Sequence, residues 1–183
     1  MALYVSYGFK FAVPLILLPY LTHTLGATMW GVVAIGQSFG LIVDRVIQYG
    51  FSITGPRDVA LVRDDPAQLA ETVACIQGGK LAIAAALVLV TWGVMPLVPA
   101  FAEHPGIGWG GMAFGFVNGM NLFWFFQGVE RMSVVALLDI VSRIIGLAMV
   151  IALVHGPEDA DWVLYALATG TAASTLIGMA LQY

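Results

Sequence analysis

Three stretches of this chain, Leu81 to Ala102, Ile107 to Val129 and Trp162 to Tyr183, contain no charged residue, and each is about long enough to cross a bilayer. A spanning helix needs about 20 mostly apolar residues to traverse a hydrocarbon core of about 30 Å. No water reaches that core, so each backbone N–H and C=O must find its partner within the protein, which a helix provides. A water-soluble domain would not combine such runs with a mean hydropathy of +0.92 and only 10% charged residues. The expected fold class is all-α, a polytopic membrane helix bundle.

The hydropathy pattern predicts about six transmembrane helices in one unit covering residues 1–183, at about 3–25, 29–51, 77–100, 107–128, 134–155 and 162–183. The first reads as a retained span and not a cleaved signal peptide, because Pro14, Pro19 and Tyr20 occupy the place of a small-residue cleavage site. Arg57, Arg63 and Lys80 fall in or beside the connection between the second and third helices, and Arg131 lies between the fourth and fifth. The connections around 22–30, 102–108 and 155–161 carry no Lys or Arg. Basic residues are retained on the cytoplasmic side. The amino terminus, the 52–76 and 128–133 connections and the carboxyl terminus are therefore expected inside.

Several function classes lose support at this level. The net charge of −4, with no basic patch, does not suit nucleic acid. Cys75 is the sole cysteine and reads as a small apolar residue, while His23, His104 and His155 are too dispersed for a short-spaced metal site. No glycine-rich phosphate loop, nucleophile elbow or carboxylate pair is present, so the chain reads as a non-enzyme without cofactor or metal.

The 52–76 connection carries structure of its own. Asp64 or Asp65 can cap a helix beginning near Pro66, and the piece between Arg57 and Arg63 suits a short amphipathic segment along the inner surface. Small residues recur every fourth position at Gly111, Gly115 and Gly119, at Ala166, Gly170, Ser174 and Gly178, and at Gly36 and Gly40. Such faces let helix backbones approach closely, and packing within the bundle is favoured over a dimer interface. Pro14 and Pro19 are expected to bend or loosen the first helix.

The charges within the spans are the candidate functional residues. Lys10 lies in the middle of the first helix, and Asp44 and Arg45 lie in the inner half of the second. A charge at the bilayer centre costs about 2.5–3.5 kcal/mol on insertion scales, so such residues pair or face water. Neighbouring helical residues are about 100° apart, so Asp44 and Arg45 do not face each other well, and Lys10 is the natural partner for Asp44. Two readings stand. Lys10 and Arg45 snorkel, or a Lys10–Asp44 pair ties two helices together. Alternatively Lys10 and Arg45 line a water-filled cavity and hold an anionic group, for which a guanidinium suits phosphate. Asp139 and Arg143, four residues apart, are expected to satisfy each other.

The segments LILLPYLTHTLGATMWGVVAIGQSF, DRVIQYGFSITGPRDVALVRDDPAQL and WFFQGVERM resemble the amino-terminal half of bacterial polysaccharide (O-antigen type) flippases, of the multidrug/oligosaccharidyl-lipid/polysaccharide exporter superfamily. The most specific parts are Pro19-Tyr20 with Leu25-Gly26, Tyr49-Gly50-Phe51 with Arg57, and Trp124-Phe125-Phe126-Gln127-Gly128 with Glu130-Arg131. The resemblance implies a carrier in the bacterial inner membrane that moves an undecaprenyl-pyrophosphate-linked oligosaccharide between leaflets for surface polysaccharide such as lipopolysaccharide O-antigen. It implies two six-helix lobes about a central cavity, of which this chain supplies one, with a second lobe or a homodimer completing it. Cavity cations would then hold the pyrophosphate: Lys10, Arg45 and Arg57, with Asp44 as supporting charge. The family commonly has a cation where this chain has His23. The chain also stops at Tyr183, where the family continues for about as many helices again. The alternatives are an inactive flippase fragment and a non-transporting membrane scaffold using its glycine faces.

Overall fold

The computed structural model describes residues 2–182, with side chains over 12–182. Among them the only regular elements are helices: α1 (Ala2–Gln48), α2 (Phe51–Val62), α3 (Pro66–Val94), α4 (Pro99–Glu103), α5 (Pro105–Gly119), α6 (Phe123–Gly128), α7 (Met132–Leu153) and α8 (Ala160–Leu181). Short 3-10 turns at Met95–Leu97 and Pro157–Asp159 precede α4 and α8. Four stretches are long and apolar enough to cross a membrane: Ala12–Val62, Pro66–Leu97, Met132–Leu153 and Pro157–Leu181. Large apolar side chains face outward, Leu89 at 74% and Trp92 at 75% exposure, as a lipid-facing surface requires. The chain is an all-α polytopic membrane bundle.

Gly26 divides α1 into two arms, each about 33–36 Å long at 1.5 Å per residue. Its φ of 74° and ψ of 163° lie in a region open essentially only to glycine. Pro14 and Pro19, where a bend or loosening was expected, both sit within helical backbone, and the non-helical residue inside α1 is Gly26. The first arm is held to the end of α7, where the Tyr20 hydroxyl donates to the Val154 carbonyl at 2.7 Å.

The second arm of α1 lies along α5 through the glycines that sequence spacing singled out. A Cβ on Gly40 would sit 2.6 Å from the Gly111 carbonyl oxygen, and one on Gly115 would strike the Gly40 carbonyl. On the opposite side of the bundle α7 and α8 approach in the same way. A Cβ on Gly170 would meet the Ser142 carbonyl, and the Ser142 and Thr171 hydroxyls are 3.3 Å apart. Lipid gives no hydrophobic drive for helix association, so this backbone proximity and its dispersion contacts hold the bundle.

Two expected boundaries are corrected. The capped helix expected to start near Pro66 does so, the Asp65 carboxylate accepting the Ala67 and Gln68 amides at 3.0 and 3.2 Å, but it runs on unbroken through 77, where a separate span was expected to begin. The fourth segment, expected as one helix over 107–128, is interrupted between Gly119 and Phe123. Beyond the break, α6 and the turn after it pack on α2. A Cβ on Gly128 would lie 2.6 Å from Val59, and one on Gly55 would lie 2.8 Å from the Trp124 ring.

Candidate functional site

Two buried charged residues stand out at the α2–α6 end of the bundle, Asp44 in α1 and Lys80 in α3. Asp44, in the second arm of α1, is 6% exposed. Its carboxylate accepts from the Gln48 amide one turn on, and the Arg45 Nε lies 4.0 Å away. Lys80, in α3, is 1% exposed and is the largest fully buried side chain among the described residues. Its ammonium donates to the Asn121 carbonyl at 3.4 Å and lies 5.4 Å from the centroid of the Trp124 ring. Asp44 is the carboxylate whose charge acts on Lys80. Buried opposite charges of this kind persist only because each has a partner.

Sequence reasoning missed Lys80, treating it as a marker of the inner connection. That placement is corrected by the start of α3 at Pro66, which carries Lys80 about 21 Å along the helix. The signal was the cap at Asp65-Pro66: taken together with the uncharged run from Leu81, it makes 66–94 one helix with a lysine inside it.

The sequence-predicted cations are distributed differently. The Lys10 side chain lies outside the described residues. Arg45 points away from the core, its side chain 78% exposed on the open face of α1. Arg57 is exposed on α2. The described contacts of the Asp44 carboxylate are thus with Gln48 and Arg45. In α7, Arg143 and Asp139 form the expected local pair at 3.0 Å. At the α2–α6 end Arg63 meets Glu130 at 3.1 Å, joining the turn after α2 to the turn after α6. Among the described residues no three His, Cys, Asp or Glu side chains converge as a metal site. The arrangement separates two kinds of charge. One kind is buried, Asp44 and Lys80, and the other is exposed, Arg45 and Arg57 among them.

A family model described as "Polysaccharide biosynthesis protein" matches residues 1–183. The chain belongs to that family. Among curated relatives, one from Escherichia coli (strain K12), named "Putative O-antigen transporter", is 25% identical over 152 residues. That match covers 83% of this chain and 37% of the relative. A relative of the same name from Shigella dysenteriae is 25% identical over 182 residues, covering 98% of this chain and 45% of its own length. The chain therefore spans less than half the length of the curated relatives it matches. No solved structure matches it. The Trp124-Phe125-Phe126-Gln127-Gly128 run is mainly a packing unit, with Trp124, Phe125, Phe126 and Gly128 all buried.

Proposed function

We propose that this chain is one six-helix lobe of an exporter that carries lipid-linked oligosaccharide repeats across the bacterial inner membrane. The substrate is an undecaprenyl-pyrophosphate-linked oligosaccharide, and the amino and carboxyl termini lie in the cytoplasm. A second lobe, from the same or another chain, encloses the path. The observation that carries the reading is the exposed guanidinium of Arg45 on α1, in a chain matched end to end by the family. Arg45 touches the buried cluster only through its Nε, 4.0 Å from Asp44, which leaves most of the guanidinium exposed, and an ionisable group within a span is a functional candidate. With Arg57 on α2 it offers phosphate two planar donors, and rocking of lobes would carry the bound headgroup from one side to the other. No described nucleotide or metal group enters this scheme, and the chain acts as a carrier and not an enzyme.

The scaffold alternative loses its surface. Its glycine faces are occupied between α1 and α5 and between α7 and α8, where an added Cβ would strike backbone.

The test is surface polysaccharide in a strain lacking its own O-antigen exporter, supplied with the full-length protein. Restored surface polysaccharide is expected. Arg45→Gln with Arg57→Gln is expected to lower it at least roughly tenfold at unchanged abundance, since charge-assisted contacts contribute about 1.5–3 kcal/mol each. Full export by the double variant would remove both residues from substrate binding.

A further inference from the structure

The interruption between α5 and α6 has no proline, and its backbone is non-helical from Met120 to Leu122. Non-helical backbone among membrane spans is tolerated only where protein or enclosed water satisfies it. Most of its groups are satisfied locally. The Met120 amide donates to Phe116 at 3.0 Å, the Asn118 side chain donates to Phe114 at 2.8 Å, and the Asn121 side-chain oxygen accepts from the Phe123 amide at 3.2 Å. The Asn121 carbonyl is the exception, and its partner comes from another helix: the ammonium of Lys80. The same ammonium lies over Trp124, the second residue of α6. A single buried cation thus contacts both the break and the helix that follows it.

The site is also under-satisfied. An ammonium carries three donors, and its described hydrogen bond is the one to Asn121. Both amide atoms of Gln77, one turn before Lys80, and the Trp124 indole N–H are buried without a partner. Trp124 itself is 3% exposed. A structural staple in a membrane core would be fully paired. A cluster left with spare donors beside a helix break fits a joint whose partners change as the bundle moves.

We propose that Lys80 is a positioning residue for transport: its ammonium clamps the α5–α6 break through the Asn121 carbonyl and the Trp124 face, and so sets the place of α6 against α2. The functional half rests on the exporter reading above. The clamp itself does not.

Amide hydrogen exchange over residues 118–128 of the full-length protein in membranes, with surface polysaccharide measured in parallel, tests this. Lys80→Met keeps the length and apolar stem but loses the charge. It is expected to speed exchange across 118–128 and lower export roughly tenfold, because the Asn121 carbonyl and the Trp124 face lose their cation. Lys80→Arg is expected to restore both in large part. Should Lys80→Met not accumulate, Asp44→Asn with Lys80→Met removes both charges and is read by exchange in the same way. Exchange unchanged in whichever charge-removed variant accumulates would overturn the clamp. Faster exchange with undiminished export, in a protein whose parent exports, would overturn the transport role. A parent that exports nothing would sink the exporter reading, while the exchange data would still decide the clamp.

Discussion

A single backbone torsion shows most clearly how local chemistry shapes this chain. Gly26 holds α1 in two arms at φ 74° and ψ 163°, and no atom lies within 4 Å of where its Cβ would be. Steric crowding is absent, so substitution there reads conformational strain alone. Gly26→Ala is expected to destabilise the protein by about 1–3 kcal/mol, lowering its thermal midpoint in detergent without new contacts. An unchanged midpoint would mean that the arms are set by packing and not by this residue. Asp65 gives a second, smaller case. It caps α3 with two backbone hydrogen bonds, and Asp65→Ala is expected to cost about 1 kcal/mol, visible as faster amide exchange over the first turn from Pro66. The exposed Arg63–Glu130 pair belongs to a weaker class. Glu130→Gln is expected to change stability by about 0–1 kcal/mol, because exposed ion pairs are screened and entropically costly to hold.

Among elements, the α1–α5 seam is where sequence spacing translated most directly into structure. Gly36, Gly40, Gly111, Gly115 and Gly119 stood out by their four-residue recurrence, and all but Gly119 meet backbone of the facing helix. Gly119 meets Ile47, on the same seam. Gly115→Val is therefore expected to force the helices apart and abolish accumulation of folded protein, by a steric cost of about 1–3 kcal/mol or more. Gly78, on an exposed face of α3 with open space around it, provides the contrast. Gly78→Ala is expected to leave the thermal midpoint unchanged or slightly raised, since helix propensity improves by about 1 kcal/mol at most. Equal damage from both would show that glycine acts through chain flexibility and not through close approach. Helix existence was legible because long uncharged runs have no other solution in lipid. The break after Gly119 was not, because FGFVNGMNLFWFF contains no proline or charge: what interrupts it is the pair of asparagines bonding locally, with a lysine from another helix at the freed carbonyl.

For the whole molecule, two populations of charge describe the lobe. Asp44 and Lys80 are buried inside it, and Arg45 and Arg57 stand on its surface. Asp44 and Arg45 were identifiable from sequence as charges out of place, yet their separation into buried and exposed depended on helical phase against α5, which only the glycine seam fixes. Lys80 was hidden by its position next to Gly78-Gly79, which looks like a loop end until the cap at Asp65 is taken into account. The proposed orientation makes a further demand: cysteines placed at the Arg63 and Arg131 turns should react from the cytoplasmic side, and one placed at Glu158 from the outside. Labelling of all three from one side would contradict it.

The central question is whether the exposed face around Arg45 meets water or acyl chains. Arg45→Cys in the full-length protein, with Cys75→Ala to remove the exposed native thiol, can be reacted in membranes with a charged, water-soluble thiol reagent. Leu89→Cys, on a lipid-type surface at 74% exposure, serves as reference. Reaction at position 45 is expected to exceed that at 89 by at least roughly tenfold, since charged reagents partition poorly into hydrocarbon. Equal, negligible reaction at both would place Arg45 against lipid and contradict the transport account.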